Sequence, residues 1–186
     1  MTGLPPGFPS RVPPGMGLAG LLPRRSIFVS YYHLGDQAYY NEFSRLFSST
    51  YGIVRDNSLD RIIESDDADY VRQTIREDYI TGTSCTFVLC GPITPYRKYV
   101  DWEIKATLDK QHGLIGVKLP ELAIVNNGCH KPARLQDNID SKYAVWTHWE
   151  TLRNGGAAAL KQVVEEAIGK SNELINNSRA MMGRNG

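Results

Sequence analysis

Residues 85–119 of the chain read CTFVLCGPITPYRKYVDWEIKATLDKQHGLIGVKL, and this stretch decides the predicted fold. It opens with a short apolar run, Thr86 to Leu89, of a length and composition typical of a strand buried on both faces. Apolar residues then recur every four positions, which predicts a helix, and Gly113 ends it. A second apolar run, Leu114 to Leu119, closes at Pro120. The order strand, helix, strand predicts a parallel sheet with a right-handed crossover.

One carboxylate near the start of this helix is placed to face a ligand. The buried stripe of the helix is Val100, Ile104 and Leu108, and a step of about 100° per residue puts Glu103 at the edge of that stripe. Ligands of open α/β sheets bind outside the carboxyl ends of the strands, so a carboxylate early in the following helix can reach them. Because most glutamates are exposed, an ordinary solvated helix residue is the alternative interpretation of Glu103.

The flanking sequence extends the alternation of strands and helices in both directions. Upstream, it predicts a strand at 26–31, a helix with Tyr39, Phe43, Leu46 and Phe47 on one face, a strand at 51–54, a loop at 56–66 and a helix with Val71, Ile75 and Tyr79 on one face. Downstream, it predicts a long unstructured loop at 120–141, a strand at 143–149 and a helix at 160–168. These alternations predict a doubly wound, flavodoxin-like α/β domain of about five parallel strands in the order 2-1-3-4-5, flanked by helices.

Composition and the chain ends limit the class of protein. The 186 residues suit one domain, predicted at 24–175, with a flexible Pro/Gly-rich leader at 1–23 and a polar, frayed tail at 176–186. A net charge of +1 predicts no nucleic-acid partner, and the lack of a long apolar run predicts no membrane partner. Cys85 and Cys90 fall on opposite faces of one strand and cannot form a disulfide, so a reducing, cytoplasmic location is expected.

Several familiar motifs of catalysis and cofactor binding are absent from the sequence. It has no GxGxxG after the first strand, no GxxxxGK[ST], no GxSxG and no HExxH. The four histidines are scattered without ligand spacing. Asp66, Asp67 and Asp69 are better explained by helix capping than by a metal, so no metal site is expected.

What remains is a group of polar and aromatic residues that follow the predicted strands. Ser30, Tyr31, Tyr32, His33 and Asp36 follow the first strand, Asp56 follows the second, and Tyr99, Trp102 and Glu103 follow the third. Because the carboxyl ends of parallel strands meet at one rim, these side chains are expected to lie near one another. Aromatic rings with one carboxylate suit a ligand that has flat rings and a ribose. An ordinary rim of turn and packing residues is the alternative.

The sequence also resembles a known family. SIFVSYYHLGDQAYY at 26–40 is similar to the opening strand and loop of TIR-type domains. YVRQTIREDYITGTSCTFVLCGPITPYRKYVDWEIKATL at 70–108, with PARLQDNIDSKYAVWTHW at 132–149, is similar to the TIR-like proteins of bacterial Thoeris antiphage defence. The resemblance covers residues 25–150 and implies a flavodoxin-like fold.

The resemblance implies an activity and its site. Catalytic TIR domains carry an aromatic residue, a small residue, two variable residues and a glutamate, and the segment from Tyr99 to Glu103 matches, with Tyr99 where many members have Trp and Val100 where many have Cys. By this resemblance Glu103 is the catalytic residue that cleaves the nicotinamide–ribose bond of NAD. The residues expected to bind the substrate are Ser30, Tyr31, Tyr32, His33, Asp36, Asp56, Tyr99 and Trp102.

The resemblance also implies partners. NAD is the substrate and no separate cofactor is expected, while a cyclic or conjugated ADP-ribose derivative carries a diffusible signal to a separate effector protein. A phage trigger and a homo-oligomer complete the implied partners. Two other classes of function stay open: a TIR interaction module that does no chemistry, and an enzyme of nucleoside deoxyribosyltransferase type, which also uses a glutamate and an aromatic rim.

Overall fold

The computed structural model describes residues 25–55, 80–124 and 128–186, which form a parallel sheet with helices on both faces. The strands are β1 (Ser26–Ser30), β2 (Gly52–Arg55), β3 (Thr83–Cys90), β4 (Gly113–Lys118) and β5 (Val145–His148). The α-helices are α1 (His33–Phe47), α2 (Lys98–Asp109), α3 (Ala133–Asp140) and α4 (Trp149–Ile168), and short 3-10 turns occupy Thr94–Tyr96 and Asn172–Leu174.

The five strands lie in the order β2-β1-β3-β4-β5, and each neighbouring pair is parallel. This confirms the predicted doubly wound α/β fold and its strand order. The order places β1 beside β3, where the progression of strands across the sheet reverses. In such sheets a crevice opens at this switch point, outside the carboxyl ends of the two strands.

Successive side chains of each strand point to opposite faces of the sheet, so the buried core lies on both faces. One face packs against α1 and α4, and its strand residues include Ile27, Val29, Cys85, Phe87 and Leu89. The other face lies under α2 and α3, and its strand residues include Phe28, Val88, Cys90 and Leu114. Cys85 and Cys90 therefore point to opposite faces, as predicted, and both are free thiols.

The prediction of a long unstructured loop at 120–141 is wrong, because this segment contains α3. The buried residues of α3 are Arg134, Leu135 and Asn138, so two of the three are polar. Hydrogen bonds satisfy these two side chains in place of apolar packing. A search for apolar residues at helical spacing therefore misses this helix.

The predicted boundary between the last strand and the last helix is also shifted. β5 ends at His148, and Trp149 begins α4 with its ring in the core. Helix α4 is interrupted at Gly156, where φ is 56° and ψ is −145°. A side chain is strongly disfavoured in that backbone conformation, so the glycine allows the break, and the predicted apolar face at 160–168 belongs to the part of α4 after it.

The leader at 1–23, the loop at 56–66 and the helix through Val71, Ile75 and Tyr79 lie outside the described residues. Of the helices within the described ranges, none is long and apolar enough to cross a membrane.

The expectation that the chain frays after Ile175 is wrong. Residues 176–186, here called the C-terminal segment, lie along α2 and α3. Asn138 donates to the backbone oxygen of Asn176 at 2.8 Å and accepts from its backbone N–H at 3.0 Å. Arg179 donates two hydrogen bonds to Asp137. Polar contacts of this kind hold the segment in place, and its composition gives no sign of them.

Candidate functional site

Glu103 lies in the second turn of α2 on the side that faces the sheet, and only 4% of its surface is exposed. Thr107, one turn later, fixes this orientation. Its hydroxyl donates to the Glu103 backbone oxygen at 2.8 Å and lies 2.7 Å from the hydroxyl of Thr86 in β3. Residues four apart share a helix face, so Glu103 also faces the sheet, nearer the carboxyl end of β3. The alternative interpretation as a solvated helix residue is therefore wrong.

Ser30 reaches the same crevice from the end of β1. It pairs in register with Val88 of β3, on the face of the sheet that α2 covers. Ser30 is 1% exposed, and its Oγ has no hydrogen-bond partner among the described residues. A buried hydroxyl without a partner is costly, by about 1–3 kcal/mol, so it marks a candidate contact for a ligand group.

Tyr32 and Arg97 form a contact across the mouth of the crevice. The guanidinium carbon of Arg97 lies 4.3 Å from the centre of the Tyr32 ring. Tyr32 is the residue before α1 and Arg97 the residue before α2, so the contact joins the loops that follow β1 and β3. The Nε of Arg97 is buried without a hydrogen-bond partner in the described structure. Sequence reasoning missed Arg97, although it stands two residues before the Tyr99–Glu103 motif.

Asp36 links the same two loops from the side of α1. Its carboxylate accepts a hydrogen bond from the Thr94 hydroxyl at 2.9 Å, and that hydroxyl accepts one from the Gly91 N–H at 2.9 Å. Burial raises the pKa of Asp36, and the hydrogen bond from Thr94 acts against this shift. A Cβ at Gly91 would collide with the Asp36 carboxylate. The glycine therefore allows the β3 loop to approach α1 closely.

Tyr31 lies on the opposite face of β1, in the core cluster that contains α1 and α4. Its ring stacks on Tyr40 with 4.6 Å between centroids and lies 4.2 Å from the ring of His33. Its hydroxyl donates to the side chain of Gln37 at 3.1 Å. The structure therefore places Tyr31 as a packing residue and does not bring it to the face that carries Ser30 and Glu103.

Tyr99 and Trp102 pack edge to face on α2, with 5.5 Å between their ring centroids. Trp102 belongs to a buried cluster with Phe28, and its indole N–H donates to the backbone oxygen of Met182 at 2.9 Å. Tyr99 is half-buried at the margin of that cluster. Trp102 is thus occupied by packing, whereas Tyr99 is only half-buried. Asp56, the remaining predicted site residue, lies outside the described residues.

Asp101 and Arg134 were not identified from the sequence, yet they form a buried ion pair. Arg134 Nε donates to Asp101 Oδ1 at 2.9 Å, and both side chains are at least nine-tenths buried. The same Asp101 carboxylate accepts the backbone N–H of Met182 at 3.0 Å. The pair therefore ties α2 to α3 and to the C-terminal segment.

The described residues offer neither a metal cluster nor a reactive thiol in β3. In residues 25–55, 80–124 and 128–186, no three His, Cys, Asp or Glu side chains group closely enough to hold a metal ion. Burial raises the pKa of Cys85 to about 12 and raises that of Cys90 as well. Neither thiol is therefore a ready nucleophile near neutral pH.

A comparison with protein-family models identifies the family of this chain. Residues 28–124 match the family described as Thoeris protein ThsB, TIR-like domain. The match runs from β1 to the segment after β4, so it includes Ser30, Arg97 and Glu103. No curated protein matches the chain. Because the matched residues are more than half of the chain, the protein belongs to the TIR-like domain family of the Thoeris protein ThsB, and this membership supports involvement in antiphage defence.

Proposed function

We propose that this chain cleaves the nicotinamide–ribose bond of NAD and that Glu103 is the catalytic residue. The observation that carries the proposal is the burial of Glu103 in α2, the helix that follows β3 at the β1/β3 switch point, in a member of this TIR-like family. Away from bulk water, a carboxylate interacts more strongly with a positive charge that develops beside it. The placement therefore suits a reaction whose transition state is cationic.

In the proposed reaction, the bond between ribose C1′ and the ring nitrogen of nicotinamide breaks. The electron pair leaves with nicotinamide, which is cationic in NAD and neutral once released, so its departure needs no strong general acid. Positive charge then spreads over C1′ and the ribose ring oxygen, as in an oxocarbenium ion. Glu103 stabilises this charge and accepts hydrogen bonds from the ribose hydroxyls.

An acceptor completes the reaction by bonding to C1′ and losing a proton. Water gives linear ADP-ribose, a nucleophile within the same molecule gives a cyclic isomer, and a separate molecule gives a conjugate. We propose a cyclic or conjugated product that diffuses to a separate effector protein, with a phage trigger as the activating event. The proposal locates the protein in the cytoplasm, where it has NAD as its substrate.

The other residues of the crevice have supporting roles in this proposal. The unpaired Oγ of Ser30 accepts or donates a hydrogen bond at the nicotinamide ribose. Tyr99 borders the substrate through the part of its side chain that Trp102 and Lys98 leave exposed. Asp36 holds the loops after β1 and β3 together through Thr94. Tyr31 and Trp102 act by packing.

The test compares wild type with Glu103→Gln by mass-spectrometric profiling of nucleotides in infected cells. Glutamine keeps the size of the side chain and removes its charge. Loss of NAD, or a new ADP-ribose derivative, in the wild type alone supports the proposal. Equal protection by both proteins with an unchanged NAD pool contradicts it and favours a TIR interaction module. Incubation of the purified protein with deoxynucleosides and free bases tests deoxyribosyl transfer separately.

A further inference from the structure

We propose that Arg97, held on the ring of Tyr32, binds the pyrophosphate of the dinucleotide and so directs the nicotinamide riboside toward Glu103. This inference rests on the proposed function and deepens it, because it assigns the residue that recognises the charged part of the substrate. Four features of Arg97 support it: its position before α2, the lack of a hydrogen-bond acceptor for its Nε among the described residues, its contact with the Tyr32 ring and its spacing from Glu103.

Arg97 lies where a ligand of the switch-point crevice must pass. It immediately precedes α2, which carries Glu103, and its guanidinium lies over Tyr32, which immediately precedes α1. Neither helix has a side-chain cap from the residue that precedes it. Two helix N-termini and one guanidinium meet at this opening, and the first-turn carboxylates of the two helices, Asp36 and Asp101, are already bound by Thr94 and Arg134. The guanidinium and the helix N-termini therefore favour an anionic group there.

The hydrogen-bonding groups of Arg97 are underused. Its Nε is buried and has no acceptor, and no carboxylate of the described residues forms an ion pair with the guanidinium. Arg134 shows the contrast, since its guanidinium binds Asp101, Asn177 and Ala180. A buried donor without an acceptor is uncommon in folded proteins. A phosphate oxygen would supply the acceptor that Arg97 lacks.

The contact with Tyr32 holds the guanidinium of Arg97 over the aromatic ring. A guanidinium that lies over an aromatic ring is positioned by that ring, and its terminal Nη groups can still donate to the oxygens of a phosphate. The ring contact also limits the rotamers of a long side chain before any ligand arrives. Less conformational entropy is then lost on binding. Ser30 at the end of β1 contributes a second polar group that has no partner among the described residues, and it is almost fully buried.

The spacing between Arg97 and Glu103 fits a dinucleotide. The two residues are six positions apart, and a helical rise of 1.5 Å per residue separates them by about 9 Å along α2. The nicotinamide ribose lies between the scissile bond and the pyrophosphate, so the residues that recognise these two groups must be separated along the helix. Lys98 does not take the place of Arg97, because its ammonium lies over the rings of Tyr99 and Trp102 and its backbone N–H donates to Asn185.

The experiment measures binding by isothermal titration calorimetry, with ADP-ribose and with nicotinamide riboside, which lacks the pyrophosphate. It compares wild type, Arg97→Gln and the matched control Arg45→Gln. Arg45 undergoes the same loss of charge, but it is an exposed residue in the last turn of α1, at the opposite end of that helix from Tyr32. Thermal unfolding of each variant shows whether it folds. Tyr32→Leu serves as a second variant that keeps the charge and removes the ring.

The expected result for Arg97→Gln is a Kd for ADP-ribose that rises by about tenfold to hundredfold, the usual range for a lost charge-assisted hydrogen bond. Its Kd for nicotinamide riboside stays at the wild-type value, and Arg45→Gln matches wild type with both ligands. Tyr32→Leu weakens ADP-ribose binding by a smaller factor. Equal ADP-ribose binding by wild type and Arg97→Gln overturns the inference, as does a wild type that binds no ADP-ribose, or an Arg97→Gln variant that loses both ligands equally.

Failure of this inference is distinguishable from failure of the proposed function. If infected cells lose NAD with wild type and with Arg97→Gln alike, but not with Glu103→Gln, Arg97 is dispensable and the catalytic assignment stands. If no protein changes the NAD pool, the proposed function itself is contradicted.

Discussion

The carboxylate of Asp101 binds Arg134 in an ion pair that is buried on both sides, with 2.9 Å between Oδ1 and Nε. The same carboxylate accepts the backbone N–H of Met182, and Arg134 also donates to the backbone oxygen of Ala180. One ion pair therefore joins α2, α3 and the C-terminal segment. Asp101 is two residues before Glu103, so this joint holds the helix that carries the proposed catalytic residue.

Arg134→Met is expected to lower the free energy of unfolding by about 3–5 kcal/mol, because it leaves the buried charge of Asp101 without its cation. Urea denaturation followed by circular dichroism measures the change. Arg179→Met is the control, since Arg179 pairs with Asp137 nearer the surface, where loss of an ion pair costs about 1 kcal/mol or less. Equal stability of the two variants would show that the buried pair does not hold the three elements together.

Gly91→Ala is expected to destabilise the protein by about 1–3 kcal/mol, because the new methyl group collides with the carboxylate of Asp36. The collision separates the loops that follow β1 and β3, so NAD cleavage is expected to fall as well. Gly183→Ala is the control, since a Cβ at that position meets no atom within 4 Å. Thermal unfolding and NAD consumption by the two variants are the measurements. A Gly91→Ala variant that matches Gly183→Ala in both would contradict the close approach of the loops.

The fold could be predicted from the sequence because its strands are short apolar runs between turn residues. The runs around Phe28, Phe87 and Ile115 became β1, β3 and β4, and the strand order was predicted correctly. Helix α3 and the C-terminal segment could not be predicted in the same way. Arg134 and Asn138 are buried through hydrogen bonds to residues distant in sequence, and apolar periodicity does not record such contacts.

The candidate site was predictable to a different extent for each residue. Glu103 was predicted as a site residue from its place at the edge of the apolar stripe and from the resemblance of its segment to the TIR motif, and the structure shows that it is buried. Tyr31 and Ser30 are adjacent in sequence but point to opposite faces of the sheet. A position near the strand end therefore does not tell whether a side chain packs in the core or faces the crevice. Arg97 was not predicted because it contacts Tyr32, a residue of another loop, and the sequence does not show that contact.

Stability is expected to depend on pH through His112. Burial, with a smaller effect from the charge of Lys110, lowers the pKa of His112 below its ordinary value of 6.5. Between the lowered pKa and 6.5 the unfolded chain binds more protons than the folded chain, so the free energy of unfolding rises with pH across that window. The variant His112→Gln is expected to lose this part of the slope. Chemical denaturation of both proteins at several pH values from about 5 to about 8 checks it; identical slopes would contradict the assignment.

The most direct test of the central claim is the amount of NAD and of ADP-ribose derivatives in infected cells that carry wild type, Glu103→Gln or Glu166→Gln. Glu166 is an exposed residue of α4 and undergoes the same change of charge, so it controls for the substitution itself. We predict that wild type and Glu166→Gln consume NAD equally, and that Glu103→Gln stays folded but loses activity by about a hundredfold or more. NAD consumption by Glu103→Gln at the wild-type rate would contradict the assignment of Glu103 as the catalytic residue.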